Sequence, residues 1–312
     1  MSTIFSIIRS LKMSLKVEFD YATSYEYASS LTVFLNKKSK HDLEKTWYKE
    51  VEKVLSSEFF ECIDKENLLP FTSYLQLLIY FSPAKGDINA FIKWLEHLTP
   101  GQIYELLSSH LGEEIPESFE TFRNYYVNLL TSWKNSYQLS ADIEELLQEE
   151  VVTRRKQSVG KNSLDIIEEV TNGIRLHPDN RIEKVILVPS YHFKPLNRIY
   201  ILKETIIILY AIEIENSHSG LPGPSLLRKT KALADEKRLL ILKLVASKPR
   251  TFTEISKATK ISKSNLHYHL TLLRTAGLIR INNYMLAQPD LYEVRLDMFV
   301  SLKEDLEHYV FK

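Results

Sequence analysis

The stretch that decides the fold runs from Thr251 to Ile281 and has the sequence TFTEISKATKISKSNLHYHLTLLRTAGLIRI. Apolar residues around Ile255 keep the spacing of a short helix, and Ser262 follows as the N-cap of a second one. Gly277 supplies the left-handed residue that ends this second helix. The stretch therefore predicts a helix-turn-helix. The apolar face of its second helix consists of Leu266, Leu270 and Leu273.

Two short strand patterns follow the second helix, at residues 278–281 and 291–296. Pro289 and Asp290 break the chain between them, so the two strands are expected to form a hairpin, which in this place is the wing of a winged helix. The segment Asn282–Gln288 contains no Lys or Arg. We therefore expect the wing to contact DNA only at its base, through Arg280.

Three blocks of residues agree in order and spacing with a known family: Lys231–Asp235 with Arg238, Ser264–Leu270, and Arg274–Leu278. They resemble the winged helix of the ArsR-type bacterial transcriptional regulators. The resemblance implies a DNA-binding domain that forms a homodimer. The metal sites of the metal-sensing members do not carry over, because the cysteines before the turn and the Asp-x-His pair on the last helix are absent. No metal and no cofactor are predicted.

The charge distribution agrees with a polyanionic partner. The whole chain balances 40 basic against 40 acidic residues, but residues 225–312 carry 16 Lys and Arg against 9 Asp and Glu. The excess of negative charge lies before residue 225. A local positive excess on a helix-turn-helix is the electrostatic signature of a nucleic-acid contact, so only the C-terminal end is expected to dock on DNA.

The predicted partner is double-stranded DNA, which the start of the second helix enters through the major groove. There Asn265 is suited to pair with adenine and Lys263 with guanine. His269 lies on the apolar face and is predicted to be a core residue, because the neighbourhood lacks further zinc ligands. Base contacts are predicted for Lys263, Ser264, Asn265, His267 and Tyr268, and backbone contacts for Lys260, Ser262, Arg274 and Arg280.

Apolar helix faces flank the basic core on both sides. The resemblance implies that these two helices pair the subunits of a homodimer. The alternative is that they pack on the N-terminal domain of the same chain. The first face consists of Leu226, Leu227, Thr230, Leu233 and Ala234, and the second of Phe299, Leu302, Leu306, Tyr309 and Val310.

Gly220–Pro224 is the clearest linker in the chain, so the predicted domains are 13–222 and 223–312, after a possible extension at 1–12. Apolar residues in alternation predict a strand at 15–19, and apolar residues at helical spacing predict several helices up to residue 152. The predicted fold class is α+β, mainly α, with a small antiparallel sheet that closes the N-terminal domain. Its strands are predicted at 174–176, 185–188, 198–201 and 206–212.

Gly173–Arg175 and Lys184–Ser190, with Pro195, resemble an uncharacterised N-terminal domain of some bacterial regulators. This resemblance implies a sensor or protein-contact domain for residues 13–222. An unidentified small molecule or protein is the expected effector, and a cavity lined by aromatic residues is one hypothesis for its site. The candidate lining residues are Tyr125, Tyr126, Trp133, Tyr137, Tyr191, His192, Phe193 and Tyr200.

Catalytic signatures are missing from the sequence. It has no GxGxxG, GxxxxGK, GxSxG, HExxH or CxxC motif, and Cys62 is the single cysteine, as expected for a reducing cytoplasm. No apolar run is long enough to span a membrane. We predict a cytoplasmic, non-enzymatic, homodimeric transcriptional regulator. The alternatives are an enzyme or a protein-interaction module with an accessory winged helix.

Overall fold

The structure is a computed structural model that describes residues 15–36, 45–63, 69–111, 115–178, 181–213, 220–285 and 288–311. The possible extension at 1–12 lies outside these ranges. The chain divides into two compact units. The N-terminal unit comprises Glu18–Val159 and Glu183–Ile212, and the C-terminal unit comprises Gly160–Ile182 and Glu213–Lys312, with the described residues up to Val17.

Helices predominate over strands in both units, as the predicted α+β, mainly α class requires. In chain order the helices are α1 (Thr23–Leu35), α2 (Lys45–Val54), α3 (Ser57–Cys62), α4 (Thr72–Phe81), α5 (Ile88–His97), α6 (Pro100–Leu107), α7 (Phe119–Ser136), α8 (Ala141–Gln157), α9 (Ser163–Val170), α10 (Pro224–Leu233), α11 (Glu236–Ser247), α12 (Phe252–Thr259), α13 (Lys263–Thr275) and α14 (Asp297–Phe311), with a 3-10 turn at Leu69–Phe71. The strands are β1 (Lys16–Phe19), β2 (Ile174–Leu176), β3 (Lys184–Ser190), β4 (Arg198–Ile201), β5 (Thr205–Ala211), β6 (Arg250–Thr251), β7 (Ile279–Asn283) and β8 (Leu291–Val294).

Helix α1 lies at the centre of the N-terminal unit, and every residue from Ser24 to Phe34 is buried. The sequence analysis missed this helix, because a helix that is buried on all sides has no apolar stripe. Several of its hydroxyl side chains bond within the helix or to neighbours, whereas the buried hydroxyl of Ser24 has no hydrogen-bond partner among the described residues. Ser29 donates to the Tyr25 carbonyl, and Ser30 accepts from the indole nitrogen of Trp133.

The sheet of the N-terminal unit has the strand order β1-β3-β5-β4. Strands β3 and β5 are parallel, and β4 is antiparallel to β5, so the predicted antiparallel sheet is in fact mixed. The inner strands β3 and β5 are buried almost throughout, as the uninterrupted apolar runs of parallel strands require. Residues 191–204, which include β4, form the connection that parallel pairing needs.

The second sheet belongs to the C-terminal unit and has the order β2-β7-β8-β6. Strands β7 and β8 form the predicted wing hairpin, and β6 pairs with β8. With α11, α12 and α13 they form a winged helix-turn-helix. Residues 286–287 of the predicted wing tip lie outside the described residues.

The division of the chain differs from the predicted boundary at residue 222. Residues 160–182 belong to the C-terminal unit, and β2 pairs in parallel with β7 rather than with the strands of the N-terminal sheet. Ile174 and Leu176 are buried there. Period-2 apolar patterning predicts a half-buried strand but not its partner, which explains the error.

Candidate nucleic-acid interface

The turn between α12 and α13 is defined by local hydrogen bonds. Thr251 caps α12 in a capping box, in which its hydroxyl accepts from the Glu254 N–H and the Glu254 carboxylate accepts from the Thr251 N–H. Lys260 ends the helix in the left-handed conformation, with φ 55°. Ser262 then starts α13 as its N-cap, and its side chain makes no capping hydrogen bond. The Ser262 hydroxyl therefore does not cap the first N–H groups of α13, and uncapped N–H groups at a helix N-terminus can bind an anion.

Helix α13 packs on the unit through one face and ends in a Schellman motif. The Gly277 N–H donates to the Arg274 carbonyl, and the Leu278 N–H donates to the Leu273 carbonyl. Gly277 has φ +72°, which favours glycine. The buried residues of the helix include the predicted Leu266, Leu270 and Leu273, together with His269.

Seven of the nine predicted contact residues are exposed on the turn and the first half of α13. This arrangement leaves the amide of Asn265 and the ammonium of Lys263 on the accessible side of a helix whose other side is fixed in the core. Tyr268 is 44% exposed at the far end of the group. The exposed residues are Lys260, Ser262, Lys263, Ser264, Asn265, His267 and Tyr268.

The two predicted arginines are placed differently. Arg274 is half-buried beside Tyr292, and burial lowers the pKa of its guanidinium. Arg280 donates from Nε to Glu168 and from Nη1 to Glu293, the latter at 2.9 Å. A guanidinium held between two carboxylates is a poor phosphate ligand. The structure therefore gives no support to the predicted backbone contact of Arg280.

His269 is buried, and burial lowers the pKa of its imidazole. Its Nδ1 lies 3.9 Å from Oδ1 of Asp235, the N-cap of α11. Within the described ranges, no group of three His, Cys, Asp or Glu side chains could hold a metal ion. His269 is thus a packing residue at the interface of α11 and α13.

A shallow groove next to the start of α13 adds a basic residue that the sequence analysis missed. Lys237 and Leu240 of α11 line it together with Lys260, Ser262 and Asn265. The regional excess of positive charge was the only sequence signal for Lys237, because an exposed lysine on a helix is otherwise ordinary.

The two flanking helices of the C-terminal unit, α10 and α14, pack against each other within one chain. The ammonium of Lys229 is buried between them and donates to Asp305 at 2.6 Å and to Ser301 at 3.2 Å. Leu226 and Leu302 are already buried within the single chain, which the sequence analysis did not expect. Of the other predicted residues, Thr230 and Leu233 are half-buried and Ala234 is exposed. An exposed apolar stripe remains, which consists of the predicted Leu227, Phe299, Leu306, Tyr309 and Val310 with the adjacent Val300 and Phe311.

The N-terminal unit contains a fully buried polar group that the sequence analysis also missed. Oε1 of Glu26 accepts from Nδ1 of His192 at 2.5 Å and from the N–H groups of Tyr191 and His192, and Oε2 accepts from Ser190. Nε2 of His192 lies 2.9 Å from the Tyr137 hydroxyl. Glu26 and His192 have no exposed surface, so this group ties the loop after β3 to α1.

The aromatic residues proposed to line a cavity are mostly buried and pack on one another. The rings of Trp133 and Tyr137 are 5.0 Å apart, as are those of Tyr125 and Tyr126. They form the core of the N-terminal unit.

Among the helices that the structure describes, none combines the length and the apolar character that a membrane span needs.

Comparison with known proteins agrees with this geometry. Residues 235–280 match the family described as "Bacterial regulatory protein, arsR family". No curated protein sequence matches the chain. The winged helix-turn-helix predicted from the resemblance is confirmed, and it is the DNA-binding domain of a transcriptional regulator.

Similar solved structures cover about a quarter of the chain. An ArsR-like transcriptional regulator from Rhodococcus sp. RHA1 is 20% identical over 27% of this chain and 77% of its own, with a TM-score of 0.25. The homodimeric winged helix-turn-helix DNA-binding domain of Mb0332 from Mycobacterium bovis is 23% identical and aligns with 28% of this chain and 82% of its own, with a TM-score of 0.23. The transcriptional regulator HlyU from Vibrio vulnificus CMCP6 is 28% identical and aligns with 28% of this chain and 86% of its own, with a TM-score of 0.21.

Proposed function

We propose that the protein is a sequence-specific transcriptional regulator that reads the major groove of DNA with the first half of α13. The observation that carries this proposal is the exposed polar face of α13 opposite a buried leucine face. Asn265 is suited to a bidentate contact with adenine and Lys263 to one with guanine. Because its partner is the chromosome, we place the protein in the cytoplasm.

Phosphate contacts hold the helix in register in this proposal. Lys260, Ser262 and the first N–H groups of α13 supply them, and Lys237 adds a second cation on the same groove. Arg280 is left out, because Glu168 and Glu293 already neutralise it. Because the wing segment Asn282–Gln288 has no Lys or Arg, the recognition helix provides most of the affinity in this proposal.

A gel-shift assay on the DNA upstream of the protein's own coding region tests this function. Lys263→Ala with Asn265→Ala should abolish the specific complex. Lys303→Ala is the matched control, because it removes the same charge from a side chain on α14 that is 74% exposed. The proposal fails if no specific complex forms, or if the double substitution weakens it no more than the control.

We infer that the protein acts as a homodimer through α10 and α14. The support is the exposed apolar stripe on these helices, in which Val310 is 62% and Tyr309 is 44% exposed. Large exposed apolar patches mark interaction sites. Sedimentation should give twice the chain mass of 36.4 kDa, and Tyr309→Glu with Val310→Glu should give monomers. Val159→Glu, at an exposed position outside the stripe, should leave the dimer intact.

The regulatory role belongs, in this proposal, to residues 18–159 and 183–212, the N-terminal unit. A small molecule or a partner protein is the effector in this proposal. Glu26 and His192 are sealed from solvent, so this pair does not form a catalytic site. A thermal-shift screen tests whether the effector is a small molecule. A ligand that raises the unfolding temperature and changes DNA affinity would establish it, whereas turnover of a ligand would favour an enzyme instead.

A further inference from the structure

A segment far from the winged helix in sequence completes it in space. We call residues 163–177, which form α9 and β2, the α9–β2 arm. In sequence the arm precedes the last strands of the N-terminal unit, but it belongs to the C-terminal unit. Ile166, Ile167 and Val170 bury one face of α9. Strand β2 then runs parallel to β7, with Ile174 opposite Ile281. The arm therefore covers the edge of the wing that would otherwise be unpaired.

The first contact of the arm is made at the exit of the recognition helix. Asn172 ends α9 in the left-handed conformation, with φ 55°. Its Oδ1 accepts from Nη1 of the buried Arg295 at 2.8 Å, and its Nδ2 donates to the Thr275 carbonyl of α13 at 3.5 Å. A Cβ on Gly277 would lie 2.5 Å from Oδ1 of Asn172. The Asn172 side chain is thus seated directly on the Schellman turn of α13.

The second contact is made on the wing. Glu168 is buried, and its two carboxylate oxygens accept from Nε of Arg175 in β2, at 2.7 Å, and from Nε of Arg280 in β7. One carboxylate therefore ties α9 to two adjacent strands. Further along the same edge, the ring of His177 stacks on Tyr284, with centroids 4.3 Å apart. The wing is held against the arm by charge, backbone pairing and ring stacking together.

We propose that Glu168 and Asn172 are positioning residues for DNA recognition. This proposal rests on the proposed function. Asn172 fixes the end of α13, and Glu168 fixes β7, so one rigid segment sets the angle between the recognition helix and the wing. Neither residue needs to contact DNA. Because both ends of the arm continue into the N-terminal unit, at Val159 and Glu183, the same contacts give that unit a short covalent route to the DNA-reading elements.

The test compares sequence-specific with nonspecific binding in the full chain. The probes are a duplex selected from a random pool by the unmodified protein and a shuffled duplex of equal length. Glu168→Gln and Asn172→Gly should each weaken binding to the selected duplex by about three- to thirtyfold. Asn172→Gly should leave binding to the shuffled duplex and the salt dependence unchanged, because the lysines that meet phosphates are untouched. Glu168→Gln also removes one of the two carboxylates from Arg280, so it should slightly strengthen binding to the shuffled duplex and steepen the salt dependence while it weakens binding to the selected duplex.

Ile241→Val, a conservative substitution of a fully buried residue of α11, is the structural control. If the arm variants lose no more specificity than Ile241→Val does, the positioning role is wrong. If the unmodified chain selects no duplex, the proposed function itself is wrong, and the two failures are therefore distinct.

Hydrogen exchange measured by mass spectrometry gives a readout that does not need DNA. The Ile281 N–H donates to the Gly173 carbonyl at 2.8 Å, so the arm variants should speed amide exchange in peptides that cover residues 275–283. Peptides from α11 should keep their rates. Uniformly faster exchange throughout the C-terminal unit would contradict the proposal, because it would indicate general destabilisation.

Discussion

Gly277→Ala tests how tightly the α9–β2 arm is seated on the end of the recognition helix. Gly277 has φ +72°, and an added Cβ would lie 2.5 Å from Oδ1 of Asn172. Gly160 is the matched control, because its φ is +77° and nothing lies within 4 Å of an added Cβ. The two alanine substitutions therefore share the backbone strain and differ in the clash.

The loss of free energy of unfolding caused by Gly277→Ala is the sum of the backbone strain and the clash with Asn172. The left-handed conformation costs a residue with a Cβ about 1–2 kcal/mol, which is the whole expected effect of Gly160→Ala. At Gly277 the side chain of Asn172 must also move away from the buried Arg295, and breaking a hydrogen bond to a charged group costs about 1.5–3 kcal/mol. We expect Gly277→Ala to lower the free energy of unfolding by about 2.5–5 kcal/mol, the sum of the two contributions.

Asn172→Gly removes the clash without backbone strain, since glycine readily adopts the φ of 55° found there. In a chain that already carries Asn172→Gly, Gly277→Ala should lower the free energy of unfolding by only about 1–2 kcal/mol, as much as Gly160→Ala does. The double-mutant cycle thereby isolates the interaction between the arm and the helix.

Urea unfolding followed by far-UV circular dichroism measures these free energies. Tryptophan fluorescence reports on the N-terminal unit alone, because Trp47, Trp94 and Trp133 all lie in it. The dichroism transition of the C-terminal unit should shift with Gly277→Ala. Equal costs for the two glycine substitutions, within about 0.5 kcal/mol, would refute the reasoning, as would a Gly277→Ala cost that Asn172→Gly leaves unchanged.

Three further predictions concern other parts of the molecule. Glu26→Ala should lower the free energy of unfolding of the N-terminal unit by about 3–5 kcal/mol, measured by tryptophan fluorescence in urea, because it leaves the buried His192 without its carboxylate. Burial lowers the pKa of the His269 imidazole below its ordinary value of about 6.5, so the unfolded chain binds a proton more readily than the folded chain; the free energy of unfolding should fall as the pH drops below about 6.5, and His269→Gln should flatten this dependence in thermal unfolding. Lys260→Ala should reduce the slope of log K against log salt by about 0.9, the value for one neutralised phosphate, as measured by fluorescence anisotropy, and an unchanged slope would show that Lys260 does not meet a phosphate.

The helix-turn-helix was predictable because its signals are local. The N-cap at Ser262, the leucine spacing of α13 and the stop at Gly277 each lie within a few residues of the structure they determine. Strong local signals of this kind specify an element without knowledge of its neighbours. The exposed face of α13 followed directly, since the leucines define its opposite side.

Long-range contacts explain what the sequence analysis missed. Helix α1 has the sequence TSYEYASSLTVFL, in which small polar and apolar residues surround the axis, so it lacks the periodicity of a surface helix. Its burial depends on the helices and strands packed around it. Glu26 illustrates the same limit, because the groups that donate hydrogen bonds to its carboxylate all belong to residues 164 to 166 positions later in the chain.

Arg280 shows how such a contact changes a functional prediction. In sequence it is a cation at the base of a wing, and a phosphate contact is the natural expectation. The structure brings Glu168 to it from 112 residues earlier. Nothing in the neighbourhood of Arg280 in sequence indicates that carboxylate, so the neutralisation of the wing base becomes visible only when β2 is paired with β7.

The same pairing constrains the proposed action of the N-terminal unit on DNA binding. An effector changes DNA affinity only as far as its own affinity differs between two arrangements of the protein, and such coupling is typically about 1–3 kcal/mol. The hydrogen bond of Asn172 to Arg295 is worth about as much, roughly 1.5–3 kcal/mol. Shifting one side chain of the arm therefore supplies enough energy, and the core between α12 and α13 can stay intact. Regulation through the arm would move the recognition helix and the wing relative to each other without unfolding either.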